Sequence, residues 1–96
     1  MKIEVTSAAE RHLHAARRFY EQQSPGLGDY FLDSLMADIE SLHIYAGTHA
    51  VYFERYHRLL AKRFPYSVYY RVENDTIRVY AVMDNRRNPE QIRKRL

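Results

Sequence analysis

The sequence predicts an α+β fold in which an N-terminal strand and an antiparallel helical hairpin precede a three-stranded antiparallel meander and a short C-terminal helix. Apolar residues recur at helical spacing through two segments of the first half. Polar and apolar residues alternate through two segments of the second half. A short loop with proline and glycine separates the helical segments, so they are expected to pack antiparallel. With 96 residues, the chain is predicted to form one domain, residues 1–96.

The N-terminal segment predicts a short strand followed by a helix. Lys2 to Val5 alternate in polarity and include β-branched residues, which is typical of a half-buried strand. Ser7 and Glu10 have the spacing of a capping box, in which each side chain accepts a hydrogen bond from a free amide at the helix start. We therefore expect the first helix to run from about Ala8 to Gln22.

The second helix is predicted to follow the break at "QQSPGLGD". Ser24 can cap it, with Pro25 in the first turn, where a missing N–H costs nothing. The helix is expected to end near Ala46, with Gly47 as a left-handed stop. Its apolar stripe consists of Phe31, Leu35, Ile39 and Leu42, widened by Leu32 and Met36.

The second half of the chain predicts three strands and a last helix. The first strand is expected over Tyr56 to Phe64, because Pro65 prevents its simple continuation. The segments "YSVYYRV" and "TIRVYAVM" alternate in polarity and flank the turn signal "END". Asn88 and Pro89 can open the short helix "PEQIRKRL".

A two-residue turn at Asn74 and Asp75 would fix the register of the last two strands. This register places apolar pairs on one face, which must then be the core face. The expected pairs are Val72 with Ile77, Tyr70 with Val79, and Val68 with Ala81.

On the opposite face, the same register places Arg71 opposite Arg78 and Tyr69 opposite Tyr80. Directly opposed like charges destabilise a sheet by a few tenths to about 1 kcal/mol. The sequence leaves open whether the two arginines extend into water, bind an incoming anion, or pair with an internal carboxylate. The candidate carboxylates are Glu73 and Asp84.

The composition excludes several classes of protein. The chain has no cysteine, so disulfides and thiolate metal sites are excluded and a reducing cytoplasm is expected. No secretory signal and no membrane-spanning run is visible. The five histidines lack ligand spacing, so neither a metal nor a cofactor is expected.

Charge is distributed unevenly along the chain. Residues 1–54 contain four basic and eight acidic side chains, whereas residues 55–96 contain eleven basic and four acidic ones. This polarity indicates an anionic partner for the second half, or a solvated basic surface. The cationic side chains are Arg55, Arg58, Lys62, Arg63, Arg71, Arg78, Arg86, Arg87 and the C-terminal tail, interleaved with Tyr56, Tyr66, Tyr69 and Tyr80.

The block "RLLAKRFPYSVYYRVENDTIRVYAVMDNRRNP" resembles the C-terminal half of the RelE/ParE superfamily of type II toxins. The N-terminal half agrees with it, since a short strand precedes two helices joined by "PGLGDYFLDSL". The resemblance implies a toxin encoded beside an antitoxin, sometimes described as a plasmid stabilisation protein. It also implies that the first strand joins the sheet beside the meander, and that the C-terminal segment of a cognate antitoxin wraps the toxin.

Two branches of this superfamily differ in chemistry. RelE-like members cut messenger RNA on the ribosome, which requires cationic groups and a proton shuttle. In their pattern an arginine follows the strand-opening tyrosine and a tyrosine often lies in the tail. Here Ser67 follows Tyr66, and residues 88–96 contain neither tyrosine nor histidine. These departures favour the ParE-like branch, whose studied members inhibit DNA gyrase by stabilising the cleaved DNA complex and need no catalytic residue.

The candidate residues depend on the branch. For the target or the antitoxin, we expect an acidic ligand to contact Arg71, Arg78, Tyr69, Tyr80, Arg86 and Arg87. The alternative for the last two is an ion pair with Asp84 or Asp38. For a ribosome-dependent endoribonuclease, the candidates are Arg58, Lys62, Arg63 and Arg87, with His57 as proton shuttle. A third hypothesis is a non-toxic protein-binding module.

Overall fold

The computed structural model describes residues 1–96 and contains one five-stranded sheet with four helices. The strands are β1 (Lys2–Val5), β2 (Val51–Tyr52), β3 (Tyr56–Leu60), β4 (Tyr66–Glu73) and β5 (Thr76–Asp84), in the spatial order β1-β5-β4-β3-β2. The helices are α1 (Ser7–Gln23), α2 (Leu27–Glu40), α3 (Leu42–Tyr45) and α4 (Pro89–Arg95). β1 runs parallel to β5 and the other neighbours are antiparallel. None of the helices has the length and apolar character that a membrane crossing requires.

The α+β class and the element order are as predicted, and the β4–β5 hairpin has the predicted turn. Asn74 occupies the left-handed region at φ 56°, as such a tight turn requires. The predicted register holds near the turn, where Val72 pairs with Ile77, Arg71 with Arg78, and Tyr70 with Val79. The alternation of polar and apolar side chains therefore predicted the strand register correctly at this end of the sheet.

A β-bulge changes the register further from the turn. Tyr70 still pairs with Val79, but Tyr69 pairs with Ala81, so Tyr80 is an extra residue on β5. The predicted pairs of Tyr69 with Tyr80 and of Val68 with Ala81 are therefore wrong. Beyond the bulge the faces of β5 exchange, which turns Val82 towards the main core and places Ala81 and Met83 in a second apolar cluster.

The sheet lies between two helical layers. We call the face that α1 and α2 cover the inner face and its opposite the outer face. The inner core joins the two helices to the strands through Ala9, Leu13, Ala16, Phe31, Leu35, Ile39, Leu59, Val68, Tyr70, Ile77, Val79 and Val82. On the outer face, α4 packs Ile92 onto a smaller cluster of Tyr56, Tyr69, Ala81 and Met83.

The start of α1 differs from the predicted capping box. Thr6, and not Ser7, is the N-cap, and its hydroxyl accepts a hydrogen bond from the Ala9 amide. Thr6 retains the extended conformation of β1, because its amide donates to the Val79 carbonyl in the neighbouring strand. Pairing of β1 with β5 thus sets the residue at which the helix begins.

The start of α2 is also capped differently from the prediction. Ser24 is the C-cap of α1, and the N-cap of α2 is Gly26 at φ 86°. The Glu21 carboxylate reaches from α1 and accepts hydrogen bonds from the Gly26 and Gly28 amides at 2.9–3.1 Å. One side chain therefore closes the hairpin and replaces the local cap.

The connection from the second helix to the sheet is more broken than the sequence indicated. α2 ends at Glu40, six residues before the predicted Ala46, and α3 forms a separate short turn before Gly47 at φ 86°. β3 ends at Leu60, before the predicted Phe64, and the short edge strand β2 was not predicted. The aromatic ring of Phe64 instead packs against Tyr20 and Phe31 from the two helices.

Candidate functional site

Arg71 and Arg78 lie directly opposite each other on the outer face, and carboxylates of the chain neutralise both. Glu73 accepts from Arg78 at 2.7 Å and lies 3.3 Å from Arg71. Glu4, on β1, adds a second contact to Arg78 at 3.0 Å. Of the two carboxylates that the sequence offered, Glu73 is the one that bridges the arginines.

Tyr80 completes this network. Its hydroxyl donates to the Glu73 carboxylate at 2.8 Å. This hydrogen bond and the charges of Arg71 and Arg78 hold the pKa of Glu73 below its usual value. Two carboxylates pair here with three cations, Arg71, Arg78 and Lys2, so most of the positive charge on this half of the outer face is compensated within the chain.

Tyr69 does not lie at the surface with the other predicted contact residues. Only 2% of Tyr69 is exposed, because it packs beneath α4 in the cluster with Ile92. Burial raises the pKa of its hydroxyl. In this conformation Tyr69 supports α4 and is covered against a protein partner.

Arg86 and Arg87 lie beyond the end of β5, where they line a groove between α1 and α4. Arg86 pairs with Asp84 at 2.5 Å, which confirms the predicted alternative for this residue and holds the pKa of that carboxyl below its usual value. Arg87 forms no ion pair; the arginines that do are Arg17, Arg71, Arg78 and Arg86. Asp38 is buried elsewhere and accepts from the Lys62 amide.

The groove, here named the α1–α4 groove, has a volume of about 500 Å³. Its walls include the three arginines Arg86, Arg87 and Arg95, with Phe19 and His12 contributed by α1. The only carboxylate in the lining is Asp84, so the groove carries an excess of positive charge. Part of the unbalanced charge of the C-terminal half therefore lies in this groove.

Arg58 occupies a second, smaller site on the outer face. Its guanidinium lies 4.9 Å from the centre of the Tyr52 ring and its Nε donates to the Ser67 hydroxyl at 2.8 Å. Ser67 in turn donates to Asn85. Arg58 and Arg87 line the same pocket of about 100 Å³ beside α4. Both are candidates for the ribonuclease set, and the fold brings these two together.

The other ribonuclease candidates are not part of that pocket. His57 precedes Arg58 on β3 and so points to the opposite face. There its ring stacks on Tyr70 at 5.1 Å and its Nδ1 donates to the His49 carbonyl at 2.8 Å. Lys62 and Arg63 are exposed in the turn after β3 and do not line the pocket. The fold thus separates the predicted proton shuttle from the cationic pair.

Sequence reasoning missed several residues of these two sites. In the sequence, Ser67 is only a departure from the RelE-like pattern. In the structure it is buried and forms hydrogen bonds with both Arg58 and Asn85. His12 and Phe19 lie on the first helix, far along the chain from the arginines. The spacing of residues along the sequence could not predict that these side chains lie near the arginines, because their proximity depends on how α4 packs relative to α1.

No group of three potential metal ligands occurs in the structure. Three of the five histidines, His12, His49 and His57, form hydrogen bonds within the protein. His49 Nδ1 accepts from the buried Tyr70 hydroxyl at 2.5 Å, and the Gly47 amide donates to the same hydroxyl at 3.0 Å. These bonds fix the segment before β2 to the sheet.

Comparison with known proteins gives one family and one fold. The sequence model of the ParE toxin of the type II toxin–antitoxin system parDE matches residues 3–89. A chain from the solved structure of the chromosomal ParDE TA system from P. aeruginosa superimposes with a TM-score of 0.80 at 19% sequence identity, over 88% of this chain and 95% of that one. Comparison with curated protein sequences gave no match. The match in structure supports the predicted fold.

Proposed function

The chain belongs to the ParE toxin family of type II toxin–antitoxin systems, and we propose that it is a cytoplasmic toxin that inhibits DNA gyrase until a cognate antitoxin neutralises it. The separation of His57 from Arg58 across the sheet is the observation that favours this function over RNA cleavage. A protein that acts by binding needs a shaped and charged surface, whereas RNA cleavage at the pocket of Arg58 and Arg87 needs a proton-transfer group in that pocket, and no histidine lines it.

The contact surface proposed for an acidic partner is centred on Arg87. This residue is exposed and has no carboxylate partner within the chain, so it can pair with a partner carboxylate without first breaking an internal ion pair. Arg86 is exposed beside it, but its guanidinium is already paired with Asp84, so a partner carboxylate must compete with Asp84 for it. Arg71, Arg78 and Tyr80 extend the surface with a network that is already neutralised.

Ribosome-dependent RNA cleavage is the second candidate function. One observation favours it, namely that Arg58 and Arg87 line a common pocket beside Asn85. Two guanidiniums could stabilise a phosphorane, but α4 forms one wall of this small pocket and the only histidine of β3 faces away.

Expression of the chain from an inducible promoter tests the proposal. A gyrase inhibitor should cause filamentation and a DNA damage response, and purified toxin should inhibit supercoiling by gyrase. Co-expression of the protein encoded beside it should restore growth if that protein is the antitoxin. Harmless expression without the neighbouring gene would support a non-toxic binding module and contradict the proposal.

A primer-extension experiment separates the two toxic functions. Messages from induced cells should be intact if gyrase is the target. Cuts at ribosomal A-site codons that disappear in the Arg87→Ala variant would assign the ribosome instead. Normal supercoiling at a large excess of purified toxin would count against gyrase as the target.

A further inference from the structure

The α1–α4 groove contains cationic groups that the fold itself does not use. Arg87 and Arg95 line it and neither forms an ion pair, while Arg86 is held by Asp84. All three arginines are exposed. A planar guanidinium binds two oxygens of a phosphate or carboxylate at once, so the groove is suited to an oxyanion.

His12 adds a neutral donor to the groove. Its Nδ1 accepts a hydrogen bond from the Val82 amide at 3.2 Å, so the hydrogen of the neutral ring is on Nε2. Burial and the charges of Arg95 and Arg87 lower the pKa of this imidazole. An anion in the groove would act in the opposite direction, because it would favour the protonated ring.

Phe19 gives the groove an aromatic wall. Its residue is 48% exposed, although large apolar side chains of a core helix are usually covered. The ring packs edge-on against Tyr20 at 5.2 Å and lines the groove. An exposed ring beside arginines is the combination on which nucleotide bases stack.

From these groups we infer that the α1–α4 groove binds a nucleotide phosphate, with the arginines and His12 on the phosphate and the base against Phe19. The volume of about 500 Å³ is within the range for a small organic ligand. The carboxylates of an acidic peptide would also bind the guanidiniums, but such a peptide has no base to stack on the Phe19 ring. The source of the phosphate is either a free nucleotide or single-stranded nucleic acid. The inference does not rest on the proposed toxicity.

Fluorescence anisotropy with a labelled ten-residue thymidine oligonucleotide tests the inference on the full chain. The variant R87A/R95A removes two groove charges, and the control R93A/K94A removes two exposed charges of α4 that do not line the groove. If both groove arginines contact phosphate, the salt dependence of the binding constant should fall by about 1.4 in slope for R87A/R95A, since each contact to a single strand contributes about 0.7. The control should retain the slope of the unmodified chain. An equal loss in both variants would overturn the inference.

Two further measurements define the ligand. Phe19→Leu keeps an apolar side chain but loses the aromatic face, so it should weaken oligonucleotide binding and leave oligoglutamate binding unchanged. Nitrogen NMR should show that the pKa of His12 rises when the groove is filled, while the ring signals of exposed His14 on the same helix do not move. A rise with thymidine monophosphate assigns a free nucleotide, and a rise with the oligonucleotide alone assigns nucleic acid. Tighter binding of oligoglutamate, or an unchanged His12 with both probes, would overturn the inference.

Discussion

Arg71 lies directly opposite Arg78 across the β4–β5 pair, and the Glu73 carboxylate between them contacts both guanidiniums. The sequence predicted this pairing, because the turn at Asn74 fixes the register of the two strands. It resolves an apparent electrostatic conflict within the chain, since the like charges are separated by a carboxylate of the same hairpin. The network therefore stabilises the hairpin, and it reduces the charge available to a partner.

Glu73→Gln should lower the free energy of unfolding, because it leaves the two arginines opposed with less compensating charge. The loss should be greatest at low ionic strength and shrink as salt screens the repulsion. Urea unfolding at two salt concentrations measures this. Glu54→Gln is the matched control, since Glu54 is exposed and forms no ion pair. Equal stability of both variants at low salt would refute this role of Glu73.

Glu21→Ala should destabilise the chain by about 1 kcal/mol, the usual cost of losing a helix cap. The substitution removes the acceptor of the Gly26 and Gly28 amides. Glu21→Gln retains an acceptor oxygen and should recover most of the stability. Thermal unfolding of the two variants checks the prediction, and a Gln variant as unstable as the Ala variant would show that charge, not capping, is what matters.

Gly28→Ala tests how closely α1 and α2 pack. An added Cβ would lie 2.7 Å from the Arg17 carbonyl oxygen and 2.9 Å from the Glu21 Cβ, so one helix must move. We expect a loss of about 1–3 kcal/mol from overpacking. Helix propensity alone predicts a gain of about 1 kcal/mol, so the sign of the change in urea unfolding decides between the two.

Side-chain periodicity predicted the elements well, but it could not predict contacts between elements. The stripe of Phe31, Leu35 and Ile39 is buried as expected, since its spacing alone defines one face of a helix. The bulge at Tyr80 has no such signal, because "VYAV" reads as continuous alternation. The Glu21 cap likewise depends on two helices meeting across a loop.

Stability should fall as the pH is lowered from about 7 to 5, because half-buried histidines whose pKa is lowered in the folded chain take up protons on unfolding. Burial and the nearby His57 lower the pKa of His49, and burial lowers that of His12. Between the folded pKa and the unfolded value of about 6.5, the unfolded chain binds more protons, so unfolding becomes easier. Their stabilising contribution is complete above the unfolded value and declines below it.

His49→Asn should reduce that pH dependence. Asparagine can still accept the hydrogen bond of the Tyr70 hydroxyl, but it does not titrate. The difference in unfolding free energy between pH 7 and pH 5 should therefore be smaller in the variant than in the unmodified chain. An equal difference in the variant and in the unmodified chain would show that His49 does not contribute to the pH dependence.

The candidate site was only partly predictable. The sequence correctly placed Arg86 and Arg87 at the end of the last strand and paired Arg86 with Asp84 as one alternative. It could not show that α4 covers Tyr69, because a seven-residue helix has no sequence signal for where it docks. It also grouped His57 with Arg58, although neighbouring residues of a strand face opposite sides.

Formation of the cleaved gyrase–DNA complex tests the central claim most directly. Purified toxin is incubated with gyrase and supercoiled plasmid, and the reaction is stopped with detergent and protease. The account predicts that linear plasmid accumulates with increasing toxin, and that Arg87→Ala needs a higher concentration for the same effect than the control Arg93→Ala. A plasmid that stays supercoiled or relaxed at every toxin concentration, from protein that arrests growth in cells, would contradict gyrase as the target.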